Sequence, residues 1–217
     1  MLPRSHSVFA VARLARSLAM VTAVAVPLSA AIAQAPAAAP VGPNTWTIDA
    51  NHTASQFSVK HLMVSTVRGQ FNKTTGTIEW DGKDPMTMAV NVTIDPATVD
   101  TRVEMRDNDL RSANFFDVAK YPTITFVSKK VAAAGAGKLK MTGDLTMHGV
   151  TREIVLDVEG PSAPMKQGQN LRVGASASVK INRHDWGLTY GRVVEGAAVV
   201  GDEITITIDI EATKRGS

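Results

Sequence analysis

Residues 199–212 read VVGDEITITIDIEA. Ile204, Ile206, Ile208 and Ile210 fall on one side of this run, and Thr205, Thr207, Asp209 and Glu211 on the other. A strict period of two marks a β-strand with one apolar face, because successive strand side chains point to opposite sides. The same alternation, bounded by turn residues, recurs toward the N-terminus. It predicts strands at 45–49, 55–62, 75–80, 87–94, 123–131, 138–147, 152–159 and 171–182. Turns are marked by Asp81-Gly82, Gly135-Ala136-Gly137, His148-Gly149 and Gly160-Pro161. Eight or nine strands at hairpin spacing, without alternating helices, mean an all-β antiparallel barrel or sandwich. An outer-membrane barrel would need aromatic girdles at both interfaces. Three Trp, two Tyr and six Phe are too few for that, so a closed soluble barrel is expected.

One segment breaks the strand period: TRVEMRDNDLRSANFFDVAKYP, residues 101–122. Thr101 followed by Glu104 has the form of a capping box, and Asp107 stands four before Arg111 in the favourable order for a helical ion pair. A short helix is therefore expected here, with a second short helical piece at 63–67. The adjacent Phe115 and Phe116 either plug a barrel end or line a cavity. Exposed ion pairs contribute only about 0–1 kcal/mol, so stability alone is a weak reason for so dense a charge cluster. Near a barrel mouth an arginine could meet an anionic head group.

The first 33 residues are expected to be an export signal. Arg4, Arg13 and Arg16 form a basic start without acids, an apolar run covers 18–32, and Ala31-Ile32-Ala33 has the small-x-small form of a cleavage site. A second such site ends at Ala35. The run is shorter than the roughly 20 residues of a spanning helix and contains Pro27. Residues 34–43, QAPAAAPVGP, read as a Pro/Ala linker, and the barrel domain is expected at 44–213. The net charge of +3 comes from 23 Lys+Arg against 20 Asp+Glu, and the three arginines of the signal account for all of the excess. The remainder is neutral, and no basic stripe with interleaved aromatics suggests nucleic acid. There is no cysteine, which excludes thiol catalysis, thiolate metal sites and a lipidated cysteine anchor. An exported domain without disulfides must be held by its core, and about 170 residues suffice.

No catalytic pattern stands out. Asp107-Asn108-Asp109 begins like a calcium loop, but Ser112 replaces the required glycine and Val118 the final glutamate. Gly135-Ala136-Gly137-Lys138 lacks the first glycine and the Ser/Thr of a phosphate loop. His52, His61, His148 and His184 form no metal-binding spacing. His148 reads as a turn residue and His52 as a loop residue. His61 shares a face with Phe57 and Val59, so it points into the barrel or marks where the strand leaves it.

Four strings then align in order: residues 46–71 (WTIDANHTASQFSVKHLMVSTVRGQF), 106–126 (RDNDLRSANFFDVAKYPTITF), 143–156 (GDLTMHGVTREIVL) and 181–188 (INRHDWGL). Together they resemble the YceI-like family of periplasmic polyisoprenoid-binding proteins over residues 46–212. The resemblance implies a lipocalin-like antiparallel β-barrel with one or two short helical insertions. It also implies an elongated apolar cavity for a long isoprenoid, quinone-like or fatty-acid-like lipid, with residues 101–122 as the insertion beside it. Arg106, Asp107, Leu110, Phe115 and Phe116 match the family pattern. Asp109 stands where that pattern has histidine, and Asn114 where it has an acid. An extra carboxylate at the mouth would favour a neutral, quinone-like head over a pyrophosphate.

Alternation, aromatic placement and this resemblance nominate Phe57, Val59, Phe115, Phe116, Phe126 and Trp186 as cavity contacts. Lys60, His61, Arg106 and Arg183 are the candidates for the polar end. The small residues of VGASASV, 173–179, are expected to make room inside the barrel, since small barrels otherwise fill with side chains. The expected function is a periplasmic carrier with no cofactor, no catalysis and no membrane span. It would touch membranes only transiently, and a homodimer is compatible with it. The alternatives are an enzyme acting on a prenyl-lipid head group, for which only His61 or Asp107 would serve, and a filled-barrel interaction or stress-response module.

Overall fold

The computed structural model describes residues 42–216 apart from 192, 195 and 196. The expected export signal, and all but the last two residues of the expected linker, lie outside the described residues. The strands are β1 (Thr45–Ile48), β2 (Ala54–His61), β3 (Ser65–Phe71), β4 (Thr74–Glu79), β5 (Ala89–Ile94) and β6 (Val99–Asp100). The helix α1 (Glu104–Arg111) follows, then β7 (Ile124–Ala133), β8 (Lys138–Met147), β9 (Val150–Glu159), β10 (Met165–Gln167) and β11 (Asn170–Asn182). Last come the short β12 (Val193–Val194) and β13 (Ala197–Ala198) and the long β14 (Val200–Arg215). Among the described residues, no helix is long and apolar enough to cross a membrane.

Eight strands close on themselves in the order β11-β9-β8-β7-β5-β4-β1-β14, with β14 pairing back onto β11. Closure removes the sheet edges that would otherwise template aggregation. The pairing of β11 with β14 runs from Asn170↔Arg215 to Asn182↔Glu203, so the isoleucine face of β14 lies against Ala175, Ala177, Val179 and Ile181. This face points inward. Outer-membrane barrels have the opposite polarity, apolar outside and polar within.

The wall forks at the other edge of β14. Its C-terminal end pairs with β1 (Thr47↔Thr213), while its first ten residues pair with β2 (Val200↔His61 to Asp209↔Ala54). β1 and β2 are thus one edge bent at a corner, where a 3-10 turn (Ala50–His52) follows Asp49. Inside the fork Ser55 and Thr74, both almost fully buried, hydrogen-bond through their hydroxyls at 2.8 Å. Each satisfies the other where water cannot reach.

Asp49 at the corner accepts from the Asn51 N–H (3.0 Å), pairs with His52 Nδ1 (2.9 Å) and takes one N–H of Arg172 (3.3 Å). The hydrogen bond to His52, then that to Asn51, and in smaller measure Arg172, hold its carboxyl below the ordinary 3.8. A lowered folded-state pKa contributes stability that is present above the ordinary value and lost as pH falls through the lowered one. The melting temperature is therefore expected to fall with acidification below about pH 4. Asp49→Asn should flatten that acid limb in calorimetry without changing its slope above pH 5. Asp49, His52 and Glu211 place potential ligand atoms within 4.8 Å of one another. The Arg172 guanidinium already sits between the two carboxylates, as a metal cation would.

Three expectations change. The helical piece expected at 63–67 is instead the end of a turn (62–64) and the start of β3, which pairs with β2 from His61↔Ser65 to Ser55↔Phe71. Its β-branched Thr66 and Val67 suit a strand, and cross-strand pairing overrides the short apolar run before them. The joining turn holds Leu62 (φ 49°) and Met63 (φ 59°) in left-handed conformation, at a cost of about 1–2 kcal/mol each for residues with a Cβ. By contrast the β8–β9 turn puts His148 (φ 50°) and Gly149 (φ 74°) there, and His148 is a turn residue as its sequence suggested. The capping box does not form either. Val103 is the N-cap and makes no side-chain cap, while Thr101 bonds Asp107. Nor do Asp107 and Arg111 pair: Arg111 reaches Asn108 Oδ1 (2.8 Å) and the Val99 carbonyl (3.2 Å), which ties α1 to β6.

Candidate functional site: the barrel cavity

An apolar cavity runs through the barrel. Its volume is about 200 Å³. One water needs only about 10–15 Å³ by that measure, so this is ligand-sized space and not a packing defect. From Ile204 to Ala212 the lined face of β14 extends roughly 27 Å at about 3.4 Å per residue. Opposite it stand Val173, Ala175, Ala177, Val179 and Ile181 of β11. The alanines are what leave the lumen open: each faces an isoleucine where a second large side chain would meet it. Ile204, Ile206, Ile208 and Ile210 stay only half-buried although they point into the barrel. The filled-barrel alternative is at odds with that hollow.

The far end is shut by tryptophans. Trp46 is fully buried, stacks on Trp80 at 5.7 Å between centroids, and donates Nε1–H to the Trp80 carbonyl at 2.9 Å. Lys214 lies 4.7 Å from the Trp46 ring centre and covers it from outside.

The other wall is built by the insertion. β6 ends after two residues and does not reach β7, so the segment after it, α1 and the loop to β7, completes this side. Leu110, Phe115 and Phe116 line the cavity from it. Phe116 meets Phe71 edge-on at 5.6 Å, Phe71 meets Phe57 at 5.6 Å, and Phe115 lies 4.9 Å from Tyr190. Gly69 makes this possible. A Cβ there would come within 2.5 Å of the Phe57 ring and 2.7 Å of the Thr101 methyl, so only glycine lets Phe57 lie across β3.

Of the nominated contacts, Phe57, Val59, Phe115, Phe116 and Phe126 lie on the cavity wall. Trp186 does not. It is buried outside the lumen, donates Nε1–H to the Leu145 carbonyl at 3.1 Å, and borders a shallow polar groove with Arg152, Lys180 and Asp185. Phe71, Leu110 and the isoleucine stripe also line the cavity, although the sequence reading does not nominate them. The stripe was visible as one face of a strand, but nothing in that strand alone shows what fills the space before it.

The four nominated polar residues are not assembled around an opening. Lys60 points outward and is exposed. His61 continues the inward face of β2 one step past Val59 but lies off the cavity wall. Arg106 donates Nε–H to Thr101 Oγ1 (2.7 Å) and an Nη2–H to the Thr101 carbonyl (2.8 Å). The buried Asp107 carboxylate accepts from the Thr101 N–H (2.9 Å) and hydroxyl. Arg106 and Asp107 therefore fix the entry into α1.

Arg183 does reach the cavity wall, yet its donors are all engaged. Its N–H groups go to the carbonyls of Gly201 (3.0 Å), Leu188, Tyr190 (2.7 Å) and Val200 (3.4 Å), and to Asp202 Oδ1 (3.2 Å). Burial pushes this guanidinium below its ordinary value, and Asp202 opposes that shift. It is 5% exposed and serves as a clamp joining β14 to the loop after β11.

The two departures from the family pattern are partners. Asn114 donates Nδ2–H to Asp109 Oδ1 at 2.6 Å. Neither residue lines the cavity.

Comparison with known proteins agrees with this architecture. The YceI-like domain matches residues 46–212. A UPF0312 protein of Staphylococcus aureus (strain MSSA476) is 34% identical over 169 residues, covering 76% of this chain and 95% of the relative. The crystal structure of the Campylobacter jejuni YCEI protein is 35% identical, with TM-score 0.63 over 72% of this chain and 90% of that one. Two more distant structures share the fold. Burkholderia cenocepacia BcnA has TM-score 0.64 at 23% identity, over 76% of this chain and 98% of that one. A polyisoprenoid binding domain from Saccharophagus degradans has TM-score 0.58 at 17% identity, over 79% and 98%.

Proposed function

The chain belongs to the YceI-like family, and from that membership and its cavity we propose that it is an exported, periplasmic carrier of a long-chain polyisoprenoid or quinone-like lipid. The observation that carries the reading is the hollow isoleucine face. Apolar side chains that a folded core would bury are left accessible along a long, narrow lumen, and a flexible hydrocarbon chain is the ligand that covers such a surface. Each buried CH₂ is worth roughly 0.8 kcal/mol, so a tail of tens of carbons nominally exceeds 20 kcal/mol. Non-covalent binding saturates near −18 to −21 kcal/mol, so ordering of the chain must offset part of that.

A neutral head group fits best. Arg183 is the one ionisable side chain on the cavity wall among the described residues, and its N–H groups are already engaged. A pyrophosphate drawn inside would be a buried charge without a partner, which is strongly unfavourable. The ligand class is also the one named for the Saccharophagus degradans domain of the same fold. Holding the lipid, rather than transforming it, is the reading we favour, because among the described residues the wall carries no carboxylate or imidazole to activate the hydroxyls of Ser55, Thr125 and Ser176. Native mass spectrometry of protein purified from its own host, followed by organic extraction, tests the proposal. A neutral prenyl lipid in one-to-one complex is expected. Recovery of no apolar ligand, together with no uptake of added prenyl lipid, would overturn it.

A further inference from the structure

We propose that the β2–β3 hairpin tip, Leu62-Met63-Val64, is a membrane-docking element that inserts into the surface of an anionic phospholipid bilayer. Two observations meet at this tip. Met63 is 63% exposed and Val64 85% exposed, adjacent in sequence, at the turn that joins β2 to β3. Leu62 and Met63 both occupy the left-handed region, where a tight hairpin ordinarily uses Asn-Gly or a similar pair. Leu62 is half-buried, but solubility would replace Met63 and Val64 with small polar residues, and neither core packing nor a cavity contact accounts for these two. Strain and exposed apolar surface at one turn are together the mark of a binding element.

The charges beside the tip indicate the partner. Lys60 of β2 and Arg68 of β3 lie on the outward face of the ribbon, both exposed, and among the described residues neither is in an ion pair. Apolar residues at an apex with cations a few residues behind match the layering of an anionic bilayer: acyl chains beneath, phosphates above. The position matches too. The Leu62 N–H donates to the Val199 carbonyl at 3.1 Å, and the next residue, Val200, lines the cavity. Val59, also on the cavity wall, lies four residues from Met63, roughly 13 Å along the strand. A docked tip holds this end of the lumen at the membrane surface, where a lipid can pass between them. That last step rests on the function proposed above; insertion of the tip does not.

The chain has no cysteine, so single cysteines can be labelled without ambiguity. Val64→Cys in the full chain, carrying an environment-sensitive nitrobenzoxadiazole dye, should brighten and shift to the blue on vesicles containing phosphatidylglycerol. Quenching by a lipid-borne nitroxide should follow. The same dye on Met165→Cys is the control, because Met165 is 61% exposed on β10 at the opposite end, paired with Arg172. Lys60→Gln with Arg68→Gln should weaken the Val64→Cys signal about 30-fold in lipid concentration, at about fivefold per lost cation near an anionic surface. No shift at Val64→Cys, or an equal shift at Met165→Cys, overturns the proposal. If the tip inserts but no lipid enters the barrel, the carrier function fails and the docking stands. If prenyl lipid enters from detergent while the tip stays in water, the docking fails and the carrier stands.

Discussion

Ala177→Phe should abolish retention of the lipid while leaving a folded barrel. Ala177 faces Ile208 across β11 and β14 and also pairs with Val158 of β9, so a ring placed there projects into the lumen. The backbone has ordinary strand geometry at this point and can hold a phenylalanine. The cost falls on the ligand. A phenyl ring displaces roughly four to six methylenes of an occupying chain, each worth about 0.8 kcal/mol, or about 3–5 kcal/mol in all. That is a loss of about 10²-fold to several 10³-fold in affinity. Native mass spectrometry should show the variant empty, with unchanged circular dichroism. Its melting temperature should equal that of stripped wild-type protein or exceed it, since the ring fills space. Full occupancy by the same lipid would mean that the ligand does not use the lumen between β11 and β14.

The largest loss of stability is expected at Arg183. Arg183→Met keeps the length and apolar stem of the side chain and removes five N–H donors. The carbonyls of Leu188, Tyr190, Val200 and Gly201 then lose their partner in a wall that excludes water. Leaving such groups unpaired costs about 3–5 kcal/mol in comparable buried networks. For a domain of this size that is a fall of about 6–20 °C in melting temperature, at 2–4 °C per kcal/mol. Arg183→Lys should recover little of it, because one ammonium cannot span four carbonyls set by a planar fork. Asp202→Asn is the contrasting variant. Asp202 is the exposed partner, so its loss should cost no more than about 1 kcal/mol. Equal effects at the two positions would show that the ion pair, and not the carbonyl clamp, holds this corner.

These two residues show where sequence reasoning succeeds and where it stops. Ala177 sits in the small-residue strand that the sequence marked as the place where room could be made. Its effect is legible because side-chain direction in a strand follows from period two alone. Arg183 was legible as a charge within the INRHDWGL string, and the resemblance of that string suggested a polar contact for the ligand. Its true partners are backbone carbonyls at positions up to 18 residues away, brought together only when β14 crosses the end of β11. Backbone carbonyls carry no sequence signature, so no pattern could have nominated them. Trp186 was misplaced for a related reason. An aromatic in a short 3-10 turn can face either side of a wall, and here the Leu145 carbonyl fixes it outside the lumen.

The same division runs through the insertion at 101–122. The break in strand period located it, and the Phe pair identified the part that turns inward. The apparent capping box and the Asp107–Arg111 spacing were local patterns that better partners overrode. The Thr101 amide and hydroxyl both needed an acceptor, and Asp107 supplies it for both. Asp109 and Asn114 could be seen to depart from the family pattern, but only the fold shows that the two are hydrogen-bonded to each other, at 2.6 Å.

Class, strand alternation and the identity of the inward face belong to the sequence, because each depends on residues within one strand or one turn. Hollowness does not. The lumen is the difference between the volume that eight strands enclose and the volume that their inward side chains fill, and no one segment contains either quantity. The availability of a charge is likewise settled by folding, when distant backbone groups take up its hydrogen bonds or leave them free.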